Sequence, residues 1–274
     1  MATAFAVILV LVVVGSALFH VLSPWWLTPI ASNWSHIDGT VLLTFWITGI
    51  GYVAIVLFLA YCVYRFRHEP GRRAAYQPEN SKLEWALAIG TTLAVVALLG
   101  PGLFVWNQFI TVPRDAAVLE VVGQQWQWSY RLPGKDGRLG LSAPRYVTSS
   151  NPLGLNPNDP SGQDDIVIEG GELHLPAGKP VKVLLRSLDV VHDFYVPEFR
   201  AKMDLMPGLE SYFWFTPARM GTFEILCAAF CGVGHPQMRG SIVVEKESDY
   251  QAWLERQHTF AGLPPDAARA SLAQ

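Results

Sequence analysis

The 274-residue chain is 51% apolar and only 16% charged, a balance that points away from an ordinary soluble domain and toward membrane segments. Its net charge of −3 hides an uneven distribution: residues 1–37 contain no Lys, Arg, Asp or Glu, and Arg65, Arg67, Arg72, Arg73 and Lys82 fall in one loop. Beyond position 107, fifteen basic residues stand against nineteen acidic ones, a balance of −4, so neither part has the basic excess of a nucleic-acid binder.

In chain order, residues 2–19 are nearly all apolar and lack the positive start of a signal peptide. This predicts a transmembrane helix over about 2–22, with a cleaved leader as the alternative. Pro24-Trp25-Trp26 suits the headgroup level, where an indole offers an apolar body and a polar edge. Two further uncharged runs, 40–64 and 85–106, are long enough to cross a ~30 Å hydrocarbon core. Gly100-Pro101-Gly102 is expected to bend the third helix, which a membrane bundle tolerates. The basic loop 65–84 is cytoplasmic by the positive-inside rule. Residues 107–274 are then outside, in a bacterial periplasm or its equivalent. The predicted organisation is a membrane part over 1–109, an outer domain over 110–260 and a tail over 261–274.

The outer part shows strand patterns at 117–122, 126–130, 165–169, 180–187, 210–215, 221–226 and 240–245. Turn signals such as Pro176-Ala177-Gly178 and Pro207-Gly208 separate them. That many short strands over ~130 residues predict a two-sheet sandwich. Residues 150–165 form a long loop, and Ser248-Asp249-Tyr250-Gln251 reads as a capping box that starts a helix reaching about 257. Cys62 lies within an apolar run and reads as a buried thiol.

The chemistry is concentrated in Cys227-Ala228-Ala229-Phe230-Cys231-Gly232-Val233-Gly234-His235-Pro236-Gln237-Met238. Two thiols, an imidazole and a thioether follow at Cys-x3-Cys-x3-His-x2-Met spacing, with His192 thirty-five residues upstream of Cys227. Two thiolates and two imidazoles could hold zinc tetrahedrally. The added Met and the tight spacing favour copper, whose soft ligands are sulfur and nitrogen. A zinc site or a pair of reduced structural cysteines is the other reading that the residues allow.

This loop and its upstream His resemble the CuA site of subunit II of heme-copper oxidases, whose order is His … Cys-x-Glu-x-Cys-x3-His-x2-Met. The resemblance implies a membrane-anchored protein with a cupredoxin-type Greek-key sandwich and a dinuclear copper. Cys227 and Cys231 would bridge both coppers, and His192 and His235 would bind one each. Met238 would be the weak axial ligand of one copper and the backbone carbonyl of Ala229 a ligand of the other. The departure is Ala229, where the family has Glu. A carbonyl ligand survives that change. The carboxylate that helps bind Mg at the subunit I boundary does not, so that site is lost or rebuilt, for instance with Asp193.

Gly123-Gln124-Gln125-Trp126-Gln127-Trp128-Ser129-Tyr130 resembles the family's aromatic segment, whose first Trp accepts electrons from cytochrome c. That position is Trp126 here. Gln124 and Gln127 replace the usual His and central aromatic. Lys202-Met203-Asp204-Leu205-Met206-Pro207-Gly208, after the His192 strand, resembles the family's Lys-x-Asp-x-x-Pro-Gly and is expected to face the partner subunit. Glu79-Asn80-Ser81-Lys82-Leu83-Glu84 resembles the lead-in to the family's second helix. Most members have two helices, so the first run is an addition.

The resulting expectation is an electron-transfer subunit of a terminal heme-copper oxidase in a bacterial inner membrane. It would take electrons from cytochrome c at Trp126 and pass them to haem in subunit I, where haem and further copper reduce oxygen. Further subunits and the lipid bilayer are the other partners, and no catalytic residue is expected in this chain. Two alternatives stand at this point: the CuA subunit of a heme-copper nitric oxide reductase, and a copper-free structural subunit of a quinol oxidase.

Overall fold

The computed structural model describes residues 1–23, 28–73, 76, 78–148 and 150–263; Trp25, Trp26 and the segment 264–274 with Pro264-Pro265 lie outside them. The chain divides into two compact units. The first comprises Met1–Leu27 and His36–Trp106, and the second Thr28–Ser35 and Asn107–Gln274.

In the first unit, three helices are long and apolar enough to span a membrane: α1 (Ala2–Leu22), α2 (Ser35–Arg65) and α3 (Ser81–Ile110). Their mean hydropathies are 2.8, 2.2 and 2.0. They are apolar on every side, as lipid-facing helices must be. The three threonine hydroxyls of α2 stay within the helix: Thr40, Thr44 and Thr48 each donate to the carbonyl four residues earlier, at 2.9, 2.9 and 2.7 Å. α3 begins ahead of its apolar run because Asn80 caps it. The Asn80 Oδ1 accepts from the Leu83 N–H at 3.1 Å, and Glu84 reaches back to the Asn80 N–H at 3.4 Å. The helix continues through Pro101.

The second unit is a sandwich of two five-stranded sheets. One has the order β3 (Ile166–Glu169), β2 (Gln127–Leu132), β1 (Ala117–Gln124), β5 (Val181–Ser187), β8 (Ser211–Phe215). The other has the order β4 (Leu173–Pro176), β10 (Arg239–Glu245), β9 (Gly221–Cys227), β6 (His192–Val196), β7 (Ala201–Leu205). β1 runs parallel to β5 and β4 parallel to β10, while the other neighbours are antiparallel. β5 shows why such segments fold as strands. Val181, Val183 and Leu185 point inward, and Lys182, Leu184 and Arg186 point outward. Between the sheets, Phe194, Phe199, Phe213, Phe215 and Phe223 form a chain of ring contacts with centroids 4.9–6.2 Å apart, in the range of favourable aromatic pairs.

Residues 28–34 belong to this unit. Trp34 is buried, donates to the Trp214 carbonyl at 2.9 Å and meets the Trp214 ring edge-on at 5.0 Å. Ala31 and Ala218 are tied by a 2.7 Å backbone bond.

The long loop before β3 is anchored by a buried charge network. Arg131 of β2 donates to Glu120 of β1 at 2.8 Å, to Asp165 at 2.9 Å and to the Gly140 carbonyl at 2.7 Å. Arg186 of β5 joins Glu120 at 3.2 Å and the Leu153 carbonyl at 3.0 Å. Leu153 and Leu155 from the loop, with Val122 and Val167, make a small second core on which Phe260 and Leu263 pack.

Three sequence expectations differ from the structure. β4 and β7 are additional strands, so Lys202–Leu205 lies within a sheet. The helix α4 (Glu247–Leu254) starts after Lys246 with no side-chain cap; the Ser248 hydroxyl donates to Asp249 instead.

Candidate metal centre

The ligand candidates lie at one end of the sandwich, where β6, β9 and β10 bring them together. His192 is the first residue of β6 and Cys227 the last of β9, and the β6–β9 pairing sets Phe194 opposite Cys227. Arg239 of β10 pairs with Leu226, which brings Met238 beside Cys227; the Cys227 N–H donates to the Met238 carbonyl at 3.3 Å. The connection between β9 and β10 ends in one tight turn of helix, His235–Gln237, with Pro236 at its start.

Distances show how closely the donors converge. Cys227 Sγ lies 3.9 Å from His192 Nδ1, 3.7 Å from Cys231 Sγ and 3.2 Å from the Ala229 carbonyl oxygen. Cys231 Sγ lies 3.6 Å from His235 Nδ1 and 3.9 Å from Met238 Sδ. His192, Cys227, Cys231 and Met238 are buried, and His235 is half-buried. All six positions expected from the sequence, the Ala229 carbonyl included, are thus within one cluster. The donors are soft and close together, and both thiols are free, so the set suits copper.

Burial, then the neighbouring Cys227, pushes the Cys231 thiol up to about 11. Metal loading therefore has to displace a tightly held proton.

The remaining contacts orient these ligands. Asp189 accepts from His192 Nε2 at 2.8 Å, which leaves Nδ1 turned toward the thiols. The same carboxylate accepts the N–H groups of Gln125 and Val190, each at 2.7 Å. Burial alone would raise Asp189, but the His192 bond and these two N–H groups outweigh it and hold it below the ordinary range. On β1, a Cβ at Gly123 would come within 3.1 Å of the His192 ring, so the strand packs directly against the imidazole.

Trp126 is 37% exposed and lies across the loop. A Cβ on Gly234 would fall 2.2 Å from its ring, which glycine alone avoids. Its indole N–H donates to the Cys231 carbonyl at 3.3 Å, and the Gln125 side-chain amide donates to the same oxygen at 2.8 Å. The role of Gln125 is hidden in the sequence because its contacts lie 64 and 106 residues away, whereas Asp189 stands three residues before His192, a local spacing that could have shown it.

Phe230 is 84% exposed and meets His235 edge-on at 5.7 Å. It does not seal the site from water. Trp128 and Phe194 do so from inside, with Trp128 edge-on to His192 at 6.2 Å and to Phe194 at 5.5 Å.

Asp193 stands opposite Asp204 in the β6–β7 pair, with Lys202 at 3.7 Å. Burial, then Asp204, raises Asp193 to about 6. Its backbone carbonyl accepts from the Ala228 N–H, so this acid is next to the loop position where the sequence lacks a carboxylate.

Residues 117–247 match the family model described as cytochrome c oxidase subunit II, periplasmic domain. An "alternative cytochrome c oxidase subunit 2" of Bradyrhizobium diazoefficiens is 65% identical over 260 residues, covering 95% of this chain and 94% of that protein. A cytochrome c oxidase subunit 2 of Cereibacter sphaeroides is 28% identical over 241 residues, covering 84% and 77%. Among solved structures, the periplasmic domain of subunit II of cytochrome oxidase from Bradyrhizobium japonicum matches with a TM-score of 0.39 and 28% identity, over 53% of this chain and 95% of that one.

Proposed function

We propose a function from one premise: the chain belongs to the cytochrome c oxidase subunit II family. It is the membrane-anchored, electron-transfer subunit of a heme-copper oxidase, an oxidoreductase in which it works with other subunits. Its finer assignment is to a bacterial inner membrane, with the β unit in the periplasm and cytochrome c as the donor. Oxygen reduction takes place at haem and copper in subunit I.

In this reading Cys227, Cys231, His192, His235, Met238 and the Ala229 carbonyl would together hold a dinuclear copper. Bound there, the copper pair supplies one-electron chemistry with little ligand rearrangement. The chain's own residues do the rest. Asp189 fixes the tautomer and direction of His192. Trp128 and Phe194 exclude water from the inner side. Trp126, partly exposed and in contact with the loop glycines, offers a donor haem a path through its indole ring and one hydrogen bond to the Cys231 backbone.

The observation that carries this reading is the convergence of two thiols, two imidazoles and a thioether through steps of 3.6–3.9 Å. It argues against a copper-free quinol oxidase subunit. The names of the relatives favour oxygen over nitric oxide as the final acceptor. The test is metal analysis and electron paramagnetic resonance of the purified complex. Two coppers on this chain and one unpaired electron shared by both nuclei are expected. A four-line signal from a single copper, or one zinc per chain, would sink the assignment.

A further inference from the structure

The two ends of the ligand loop are held in different ways. At the Cys227 end, backbone pairing does the work: Cys227 bonds to Met238, Ala228 bonds to the Asp193 carbonyl, and Cys227 lies opposite Phe194 in the sheet. Beyond Ala228 the loop leaves the ladder. Its bonds within 232–238 are short-range turns, from His235 to Gly232, Gln237 to Gly234 and Met238 to His235. Cys231 sits in this unladdered part although its sulfur touches Cys227, His235 and Met238. Its carbonyl is fastened from outside, by the side chains of the β1–β2 turn.

We propose that Gln125 is a positioning residue for the copper ligands, clamping the Cys231 end of the loop to the carboxylate that orients His192. This rests on the copper reading above. Its side-chain amide donates to the Cys231 carbonyl at 2.8 Å, and its backbone N–H donates to Asp189 Oδ2 at 2.7 Å. The other oxygen of Asp189 receives His192 Nε2 at 2.8 Å. One residue therefore bonds both to the backbone of a bridging thiolate and to the outer partner of an imidazole ligand. The path Cys231 carbonyl, Gln125, Asp189, His192 joins the two ligand segments through side chains and the β1–β2 turn, independently of the β6–β9 backbone pairing.

Two features make the clamp more than a surface hydrogen bond. The Gln125 amide lies 3.0 Å from where a Cβ on Gly232 would be, so it is pressed against the loop. Trp126 makes a second, longer bond of 3.3 Å to the same oxygen. The bound partner is a carbonyl on a ligand residue, where loss of a donor lets the Cys231 backbone rotate and its sulfur move. Outer partners of metal ligands typically account for 10–100-fold in affinity. Gln125 is itself exposed, so replacing its side chain removes the amide bond to Cys231 without opening a core, while the backbone N–H to Asp189 stays in place.

The test uses the full-length chain in its purified complex, with Gln125→Leu and, as a control in the same turn, Gln127→Leu. Three measurements are made: copper release to a Cu(I) chelator, the electron paramagnetic resonance spectrum, and thermal melting of the metal-free protein. Gln125→Leu should release copper roughly tenfold faster and alter the copper hyperfine pattern, while the metal-free melt stays at the wild-type value. Gln127→Leu should match wild type in all three. Wild-type release and spectrum in Gln125→Leu would overturn the proposal, as would equal effects of the two variants. Wild-type protein lacking the shared two-copper signal would overturn the copper reading itself, and this inference with it.

Discussion

Two polar clusters are buried in the same sandwich, and they solve the problem of burial in opposite ways. The network of Glu120, Arg131, Asp165 and Arg186 closes on itself, with guanidinium N–H groups meeting carboxylates and carbonyls at 2.7–3.2 Å. Among the described residues only the second oxygen of Asp165 in that network lacks a partner. The ligand cluster cannot close. Its thiols face another thiol, two imidazoles and a thioether at 3.6–3.9 Å, contacts in which lone pairs converge with no strong donor to receive them. One cluster is complete as protein. The other is complete only with a soft cation, since buried polar groups cost free energy unless paired.

The sharpest way to break this contrast is to remove one member from each cluster. Cys227→Ser takes a bridging sulfur from the ligand set and should abolish the shared two-copper signal. Serine is close in size, so the metal-free chain should melt within about 1 kcal/mol of wild type. A retained shared signal would show that Cys227 is not a bridge. In the charge network the loss should run the other way. Arg131→Met leaves Glu120 with Arg186 alone and Asp165 with only the Gly140 N–H. Breaking a buried pair from one side costs about 3–5 kcal/mol. Chemical or thermal unfolding of the full chain should show that loss, and the surviving folded protein should keep its normal copper spectrum. A copper spectrum lost in step with stability would mean that the two clusters are not independent.

The same contrast explains what could be read in advance. The ligand loop is local: Cys227, Cys231, His235 and Met238 lie within one hairpin connection, so their spacing alone shows a soft site. Strands with clean alternation, such as β5, were legible for the same reason. β4 is only Leu173-His174-Leu175-Pro176, and β7 buries just its two ends, Ala201 and Leu205, fully, so neither carries a visible period. Glu120, Arg131 and Arg186 look like outward-facing strand residues until residues 140–165 fold over them. Gln125 and Asp189 are ordinary turn residues in sequence. The link between them exists only because the fold brings positions 125, 189 and 231 together, although Asp189 also stands three residues from His192 in the chain.

The smallest effect concerns the one oxygen the charge network leaves unpaired. Burial raises Asp165 to about 6, although the Gly140 N–H and Arg131 both act to lower it, and Asp164 adds to the rise. The folded protein therefore holds the Asp165 proton more tightly than the unfolded chain, where the ordinary value is 3.8. Its contribution to stability is full below 3.8 and is lost as pH rises through about 6. Glu120 has the opposite sign: Arg131 and Arg186 together outweigh its burial and hold it below 4.5, so its contribution is present above that value and lost only as pH falls further. Between pH 5 and 7.5, then, Glu120 is flat and Asp165 titrates. Asp193 also titrates near 6, so the measurement must be a difference between two proteins that share it. Asp165→Asn keeps an oxygen for Arg131 and Gly140 but cannot ionise. Its stability relative to wild type should improve by about 1.4 kcal/mol as pH rises from 5 to 7.5, since only about one pH unit of the Asp165 shift lies above pH 5. Melting temperatures of the two full-length proteins across that window are the check. A gap that stays constant would mean that Asp165 is ionised throughout, and that the Arg131 network supports three charges more fully than its geometry indicates.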